Sequence, residues 1–132
     1  MRTAGHLGQK ILVVEDNQLV TRSLATLLRD EGYEPVVFSA GVPALAYLRN
    51  NRPDIALIDI HLPDISGFEL SQELRKTHGS DLPIIILSGD TSMDTIRALP
   101  DAQATYFCSK PVNTSVLIGQ LREWLGISAI QL

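Results

Sequence analysis

Polar residues follow several short apolar runs of the sequence, at points where pure core would otherwise continue. They are Glu15 and Asp16 after the first run, Asp59 after the third, Ser88 after the fourth, and Lys110 shortly after the fifth. In an open parallel sheet, ligands bind at the carboxyl ends of the strands. We therefore predict that these five residues, here called the strand-end site, lie together at one edge of a sheet.

The residue types of the strand-end site indicate phosphoryl chemistry. Three carboxylates held close together repel one another and need a cation, and oxygen ligands without a His or Cys cluster favour a hard ion such as Mg²⁺. A carboxylate can also attack phosphorus and form an acyl phosphate. Ser88 would donate a hydrogen bond to a phosphoryl oxygen, and Lys110 would supply positive charge to the same group.

The elements that must position these residues follow from two alternating patterns. Short apolar runs at 11–14, 36–38, 55–58, 84–87 and 106–108 do not alternate with polar residues, which predicts strands covered on both faces. Helical spacing of apolar residues lies between and after them, at 20–28, 44–48, 68–74, 92–99 and 117–125. Five strands alternating with five helices predict a parallel sheet with right-handed crossovers.

Several residues predict where the helices begin and end. Gly32 should stop the first helix, and Ser39 should begin the second. Pro100 should end the short fourth helix, because proline lacks the backbone N–H that donates the helical hydrogen bond. Asn113 or Thr114 is placed to cap the last helix.

Composition excludes some functions. The net charge is -4 and no run of Lys or Arg occurs, which argues against direct nucleic-acid binding. Cys108 is the single cysteine, so no intrachain disulfide can form and a reducing compartment is favoured. Neither a signal-peptide core nor an apolar run of membrane-spanning length is present. We expect a cytoplasmic, single-domain protein that does not enter a membrane.

Four motifs surround these residues: Ile-Leu-Val-Val-Glu-Asp-Asn at 11–17, Pro-Asp-Ile-Ala-Leu-Ile-Asp-Ile-His-Leu-Pro-Asp-Ile-Ser-Gly at 53–67, Leu-Pro-Ile-Ile-Ile-Leu-Ser-Gly at 82–89 and Ser-Lys-Pro at 109–111. Together they resemble the receiver domain of two-component response regulators. The resemblance implies a doubly wound, flavodoxin-like α/β fold with strand order 2-1-3-4-5 and five helices. We expect this domain over 9–126, between an N-terminal tail at 1–8 and a C-terminal tail at 127–132.

The resemblance also implies a phosphoacceptor and a metal site. Asp59 matches the residue that takes the phosphoryl group from a sensor histidine kinase or a phosphotransfer protein. Asp16 matches a direct ligand of Mg²⁺, and Glu15 matches a ligand that acts through water. Asp59 and the backbone carbonyl of His61 complete the implied metal ligands. The His61 side chain follows the acceptor closely enough to influence how long the phosphoryl group stays.

A switch is the third implication of the resemblance. Ser88 and Lys110 match the hydroxyl and the ammonium that contact the phosphoryl group, and Phe107 matches an aromatic that changes rotamer when the hydroxyl moves. The altered surface would act on an output domain or protein. The bond between Lys110 and Pro111 is expected to be cis. Gly89 and the absence of glycine at 102–103 depart from the family pattern.

Two alternatives compete with this hypothesis. A phosphohydrolase of the haloacid dehalogenase kind also uses a strand-end Asp, but it needs a second Asp two positions later, where this chain has His61. A receiver that has lost phosphorylation would lack the acceptor, the acidic pair or the lysine, and all are present here. A stand-alone regulator, a transcription-factor receiver, a hybrid-kinase receiver and a homodimer all stay open.

Overall fold

A sheet of five parallel strands lies at the centre of residues 8–125, the part of the chain that the computed structural model describes. The elements are β1 Lys10–Val14, α1 Gln18–Asp30, β2 Glu34–Phe38, α2 Gly41–Leu48, β3 Ile55–Asp59, α3 Gly67–His78, β4 Ile84–Ser88, α4 Met93–Ala102, β5 Tyr106–Ser109 and α5 Thr114–Leu125. The strand order is β2-β1-β3-β4-β5 and all four pairings are parallel, which confirms the predicted fold. The expected tails lie almost wholly outside the described residues.

Two apolar cores lie on the two faces of the sheet, because successive side chains of a strand point to opposite sides. In β1, Ile11 and Val13 join a first core with residues of α1 and α5. Leu12 and Val14 join a second core with residues of α2 and α3, and Leu99 of α4 packs against it. Burial of each such side chain contributes about 1.5–3 kcal/mol, so the layered arrangement follows from the apolar runs.

Only the three inner strands are covered as fully as the sequence predicted. From Ile11 onward β1 is buried, and so are all residues of β3 and β4. The edge strands β2 and β5 are partly exposed, with Val37 41% and Tyr106 37% accessible, which corrects the expectation for them. Within residues 8–125, no helix is long and apolar enough to cross a membrane.

The fourth helix does not end at Pro100, so that prediction was wrong. It continues to Ala102 and ends at Gln103, which is in the left-handed region with φ 57°. Three side chains of α3 donate hydrogen bonds to carbonyls at this end: Ser71 Oγ to Ala102 (2.6 Å), Gln72 Nε2 to Asp101 (2.8 Å) and Arg75 Nε to Gln103 (2.9 Å). These long-range donors satisfy the orphan carbonyls of the last turn and stabilise it despite the proline.

The second helix is capped from a distant loop instead of by Ser39, which was the predicted start. Its N-terminal residue is Gly41, and Asp64 accepts hydrogen bonds from the amides of Gly41 (2.8 Å) and Val42 (2.6 Å). The bond from Val42, foremost among several from backbone amides, holds the pKa of the Asp64 carboxyl below its ordinary value. The predictions for Gly32, with φ 94°, and for Asn113, whose Oδ1 accepts from the Val116 amide, are confirmed.

Candidate functional site

The five residues of the strand-end site lie at the carboxyl edge of the sheet, as their positions after apolar runs predicted. Asp59 and Ser88 are the last residues of β3 and β4, and Glu15 follows β1 directly. Lys110 follows β5, and its amide donates to the Ser88 carbonyl at 2.8 Å. Because β1 lies beside β3, and β4 lies between β3 and β5, the loops that follow these strands converge.

Three carboxylates form an acidic cluster in this site. Glu15, Asp16 and Asp59 each offer a carboxylate oxygen, and these oxygens all lie within 4.8 Å of one another. Glu15 is 1% and Asp59 5% exposed, whereas Asp16 faces solvent. Buried carboxylates need a positive partner, since ions are costly to remove from water. The cluster is therefore open to an ion on the side of Asp16.

Lys110 supplies one positive charge to the two buried carboxylates. Its Nζ donates to Oδ2 of Asp59 at 3.2 Å and to Oε1 of Glu15. Partial burial, the largest single influence, lowers the pKa of Lys110, but the hydrogen bond to Glu15 and the charges of Asp59 and Glu15 together outweigh it. The net effect raises the pKa above the ordinary lysine value, so the ammonium stays charged beside the carboxylates.

The donor set fits a divalent hard cation. The cluster pairs three carboxylate side chains with a single ammonium, so it has more acidic groups than basic ones. All side-chain ligands on offer are oxygens, which Mg²⁺ prefers. The loop after β3 adds backbone groups close by, since the His61 amide donates to Asp59 Oδ1 at 3.3 Å. Charge and ligand type therefore agree on the same class of ion.

The Ser88 hydroxyl is fully buried and points into the loop between β4 and α4. It accepts a hydrogen bond from the Asp90 amide at 2.8 Å and donates to the Asp90 carbonyl at 3.3 Å. In this conformation the hydroxyl is thus satisfied by the backbone of its own loop. A contact between Ser88 and a group on Asp59 would require the hydroxyl to turn.

Gly67 shapes the site, a role that was not predicted from the sequence. A Cβ added at this position would lie 2.1 Å from the Asp59 carbonyl oxygen, far inside van der Waals contact. The Gly67 amide also donates to the Ile60 carbonyl at 2.7 Å. Only glycine therefore allows α3 to begin directly against the end of β3. Gly67 is the last residue of the motif at 53–67, and this position was the one sign in the sequence that it belongs to the site.

Phe107 is half-buried and packs against the second core. It lines a groove of about 290 Å³ between α4 and β5, together with Ile96 and Leu99. Its neighbour Tyr106 contacts Trp124 of α5 edge to face, with ring centroids 5.7 Å apart. The peptide bond between Lys110 and Pro111 is cis, as predicted.

An apolar groove of about 570 Å³ runs beside Lys110, between α1 and the loop after β5. Leu19, Val20 and Leu27 line it on the helix side, and Val112 lines it on the loop side. Leu19 is 73% exposed. The groove lies close to the acidic cluster, because Lys110 lines the groove and also donates hydrogen bonds to Glu15 and Asp59.

Fold and site together define the class of this protein: a doubly wound α/β domain with acidic residues and a lysine at the carboxyl edge of its sheet. The family model described as "Response regulator receiver domain" matches residues 11–122. The chain therefore belongs to the response regulator receiver family and is a receiver domain of two-component signal transduction.

Relatives include both regulators and kinases. The chain is 37% identical over 116 residues to the response regulator MprA of Mycobacterium sp. (strain KMS), covering 88% of the chain and 50% of MprA. It is 31% identical over 119 residues to the CAI-1 autoinducer sensor kinase/phosphatase CqsS of Vibrio cholerae, covering 89% of the chain and 17% of CqsS. The chain thus spans half the length of MprA and a small part of CqsS.

Solved receiver structures share the fold closely. The CheY-like receiver protein of Methanospirillum hungatei JF-1 superposes with a TM-score of 0.82 at 31% identity, covering 90% of this chain and 94% of the other. The receiver domain of sensor histidine kinase PA1611 from Pseudomonas aeruginosa PAO1 gives 0.83 at 29% identity, covering 90% and 98%. That domain holds a magnesium ion in its active-site cleft.

Proposed function

We propose that Asp59 accepts a phosphoryl group from a phosphohistidine of a partner protein, and that the domain then catalyses hydrolysis of its own acyl phosphate. The observation that carries this proposal is the contact of Lys110 with both Asp59 and Glu15 in a cluster of three carboxylates at the sheet edge. Because Lys110 is held by a hydrogen bond to Asp59, its ammonium is positioned to bind a phosphoryl group on Asp59. Membership of the receiver family supports the same assignment.

The transfer replaces one bond to phosphorus by another. An Asp59 carboxylate oxygen attacks phosphorus, the bond from phosphorus to the partner's imidazole nitrogen breaks, and that nitrogen keeps the electron pair and takes up a proton. In the later hydrolysis a water oxygen bonds to phosphorus, the bond from phosphorus to the Asp59 oxygen breaks, and the water gives up a proton to solvent, which releases inorganic phosphate and restores the Asp59 carboxylate. Lys110 faces charge that develops on the phosphoryl oxygens, and Ser88 reaches the same oxygens after its hydroxyl turns.

Glu15, Asp16 and Asp59, with the backbone carbonyl of His61, would hold Mg²⁺. The bound ion supplies charge neutralisation for the phosphoryl oxygens and the carboxylates. The exposed position of Asp16 suits direct coordination, and the contact of Glu15 with Lys110 suits coordination through water. The charge balance of the cluster and the magnesium in the PA1611 receiver domain support this assignment.

Two faces of the domain would serve partners, one for the phosphoryl donor and one for the output. The groove along α1 ends at Lys110 and exposes Leu19, so it suits docking of the protein that donates the phosphoryl group. On the other side, Phe107 borders the groove between α4 and β5, where space for a rotamer change exists. A turn of Ser88 toward Asp59 and an inward move of Phe107 would change that face for an output domain or protein.

Incubation with phosphoramidate and Mg²⁺, followed by intact mass measurement, tests the acceptor role. Wild type should gain one phosphoryl group, and a chelator should suppress the gain. Asp59→Asn should gain none, because an amide is not a nucleophile toward phosphorus. Asp30→Asn, at the exposed end of α1, is the matched control and should behave as wild type. An unmodified wild type, or equal gains in wild type and Asp59→Asn, would contradict the proposal.

A further inference from the structure

We propose that Asp90 is a positioning residue, which holds the Ser88 hydroxyl turned away from Asp59 until a phosphoryl group is present. Ser88 and Asp90 belong to the loop between β4 and α4, together with Ser92 at the cap of α4. The proposal rests on the phosphoacceptor function proposed above. It adds a residue that acts through Ser88 and leaves the roles of the strand-end site unchanged.

The backbone of Asp90 engages the Ser88 hydroxyl on both sides. The Asp90 amide donates to Ser88 Oγ at 2.8 Å, and Ser88 Oγ donates to the Asp90 carbonyl at 3.3 Å. Ser88 is 0% exposed, so water does not offer the hydroxyl an alternative partner. Both bonds must be given up when the hydroxyl turns to a phosphoryl oxygen on Asp59.

The carboxylate of Asp90 fixes this backbone to the first turn of α4. Oδ1 accepts from the Ser92 amide at 2.9 Å, and Oδ2 accepts from Thr95 Oγ1 at 2.8 Å. Thr95 is only 8% exposed, and its amide also donates to Ser92 Oγ at 3.3 Å. The amide of Ser92 and the hydroxyl of Thr95 lower the pKa of Asp90 to about 2, so the Asp90 carboxylate is ionised at neutral pH.

A further contact joins Asp90 to the loop after β3. Nε2 of His61 lies 3.5 Å from Oδ2 of Asp90, with 68% of the His61 side chain exposed. An exposed pair of this kind contributes little energy. Its geometry still shows that Asp90 lies between the loop of the acceptor and the beginning of α4. The network of Asp90, Ser92 and Thr95 therefore connects the state of Ser88 to the position of α4.

The two ends of α4 are held by different parts of the domain. Its last carbonyls accept hydrogen bonds from Ser71, Gln72 and Arg75 of α3, away from the strand-end site. Its first turn is held by Asp90 through Ser92 and Thr95. Release of the Asp90 contacts thus frees the N-terminal end of α4 while the C-terminal end stays fixed. This release raises the free energy of the state in which the Ser88 hydroxyl is bonded to Asp90. The turn of Ser88 toward Asp59 then costs less free energy.

Beryllofluoride affinity in the presence of Mg²⁺ tests this inference, since beryllofluoride on a carboxylate mimics an aspartyl phosphate. Thr95→Val keeps the side-chain shape and removes the hydroxyl, which donates to Asp90 Oδ2 at 2.8 Å and accepts from Ser92 Oγ at 3.2 Å. Loss of the bond to Asp90, the shorter of the two, from the state in which Ser88 is bonded to Asp90 should tighten beryllofluoride binding about fivefold. Thr95→Ser restores the hydroxyl and should return the affinity to that of wild type. In a Ser88→Ala background, Thr95→Val should change nothing.

The outcomes separate the two proposals. A role of Thr95 in stability alone would lower the melting temperature without tightening beryllofluoride binding. Unchanged or weaker binding in Thr95→Val, or tightening that persists without Ser88, would overturn the role of Asp90 and leave the acceptor role intact. Failure of wild type itself to bind beryllofluoride would count against the phosphoacceptor function, and the inference would fall with it.

Discussion

Gly67 and Gly89 both lie beside the candidate site, but only one of them needs to be glycine. A Cβ at Gly67 would meet the Asp59 carbonyl oxygen at 2.1 Å, whereas a Cβ at Gly89 would meet Lys110 Cβ at 3.9 Å, an ordinary contact. We expect Gly67→Ala to lower the free energy of unfolding by about 3 kcal/mol, because backbone must move to make room. Gly89→Ala should change it by less than about 0.5 kcal/mol.

Urea unfolding of the two variants beside wild type measures this difference. The pair serves as its own control, because the same methyl group is added at two loops of the same site. Gly89→Ala should also keep its phosphoryl gain with phosphoramidate. Equal stability of the two variants would show that the approach of α3 to Asp59 is not as close as described here.

At the residue scale, the strand-end site was predictable from the sequence, whereas the residues that hold the neighbouring loops and helices in place were not. Glu15, Asp59 and Ser88 each follow an apolar run, and this local signal fixes their edge of the sheet. Asp64 and Asp90 carry no such signal. The Asp64 contact to α2 joins residues more than 20 positions apart, and the Asp90 network depends on how a loop turns into α4. Such contacts follow from tertiary geometry instead of from sequence pattern.

Among the elements, α2 depends on a carboxylate supplied by another loop. The amides of Gly41 and Val42 donate to Asp64, and the pKa of Asp64 is lowered from the ordinary 3.8. A group with a lowered pKa in the folded state stabilises the fold above its unfolded pKa, and this contribution is lost as pH falls through the folded value. We expect the stability difference between wild type and Asp64→Asn to be full at about pH 6 and to shrink below pH 3.8.

Urea unfolding at about pH 6 and about pH 3 provides the measurement. Asp101→Asn is the matched control, because Asp101 is an exposed aspartate, and its stability difference from wild type should be small at both pH values. A difference for Asp64→Asn that did not change with pH would mean that the charge of Asp64 does not stabilise α2.

The end of the fourth helix could not be predicted from the sequence. Pro100 lacks a backbone N–H and predicts a helix end, yet the helix reaches Ala102 because α3 donates hydrogen bonds to its final carbonyls. Gln103 then ends the helix in the left-handed conformation, which is usually a glycine conformation at the end of a helix. The number, type and chain order of the elements were predicted correctly, because they follow from the length and spacing of the apolar runs and from the helical periodicity between them.

For the whole molecule, the acidic cluster links stability to metal binding. A ligand that binds only the folded state stabilises it by about 1.4 kcal/mol at ten times its Kd. We therefore expect Mg²⁺ at that concentration to raise Tm by about 5 °C. Asp16→Asn should remove most of this rise, since it takes away the exposed carboxylate of the cluster. It should also raise Tm in chelator, because the remaining carboxylates repel less.

Thermal unfolding with Mg²⁺ and with chelator gives both values for each variant. Asp30→Asn changes the net charge equally at a distance from the cluster and should keep the full response to Mg²⁺. The same rise in Asp16→Asn as in Asp30→Asn would place the ion elsewhere.

The proposed function of the whole domain depends on an acyl phosphate at Asp59. Borohydride reduces an aspartyl phosphate to homoserine, so treatment after phosphoramidate and Mg²⁺ marks the acceptor permanently. Peptide mass mapping should then find homoserine at position 59, and only in protein that met the donor. Homoserine at another aspartate, or an unmodified Asp59 in protein that carries phosphoryl, would contradict the central claim.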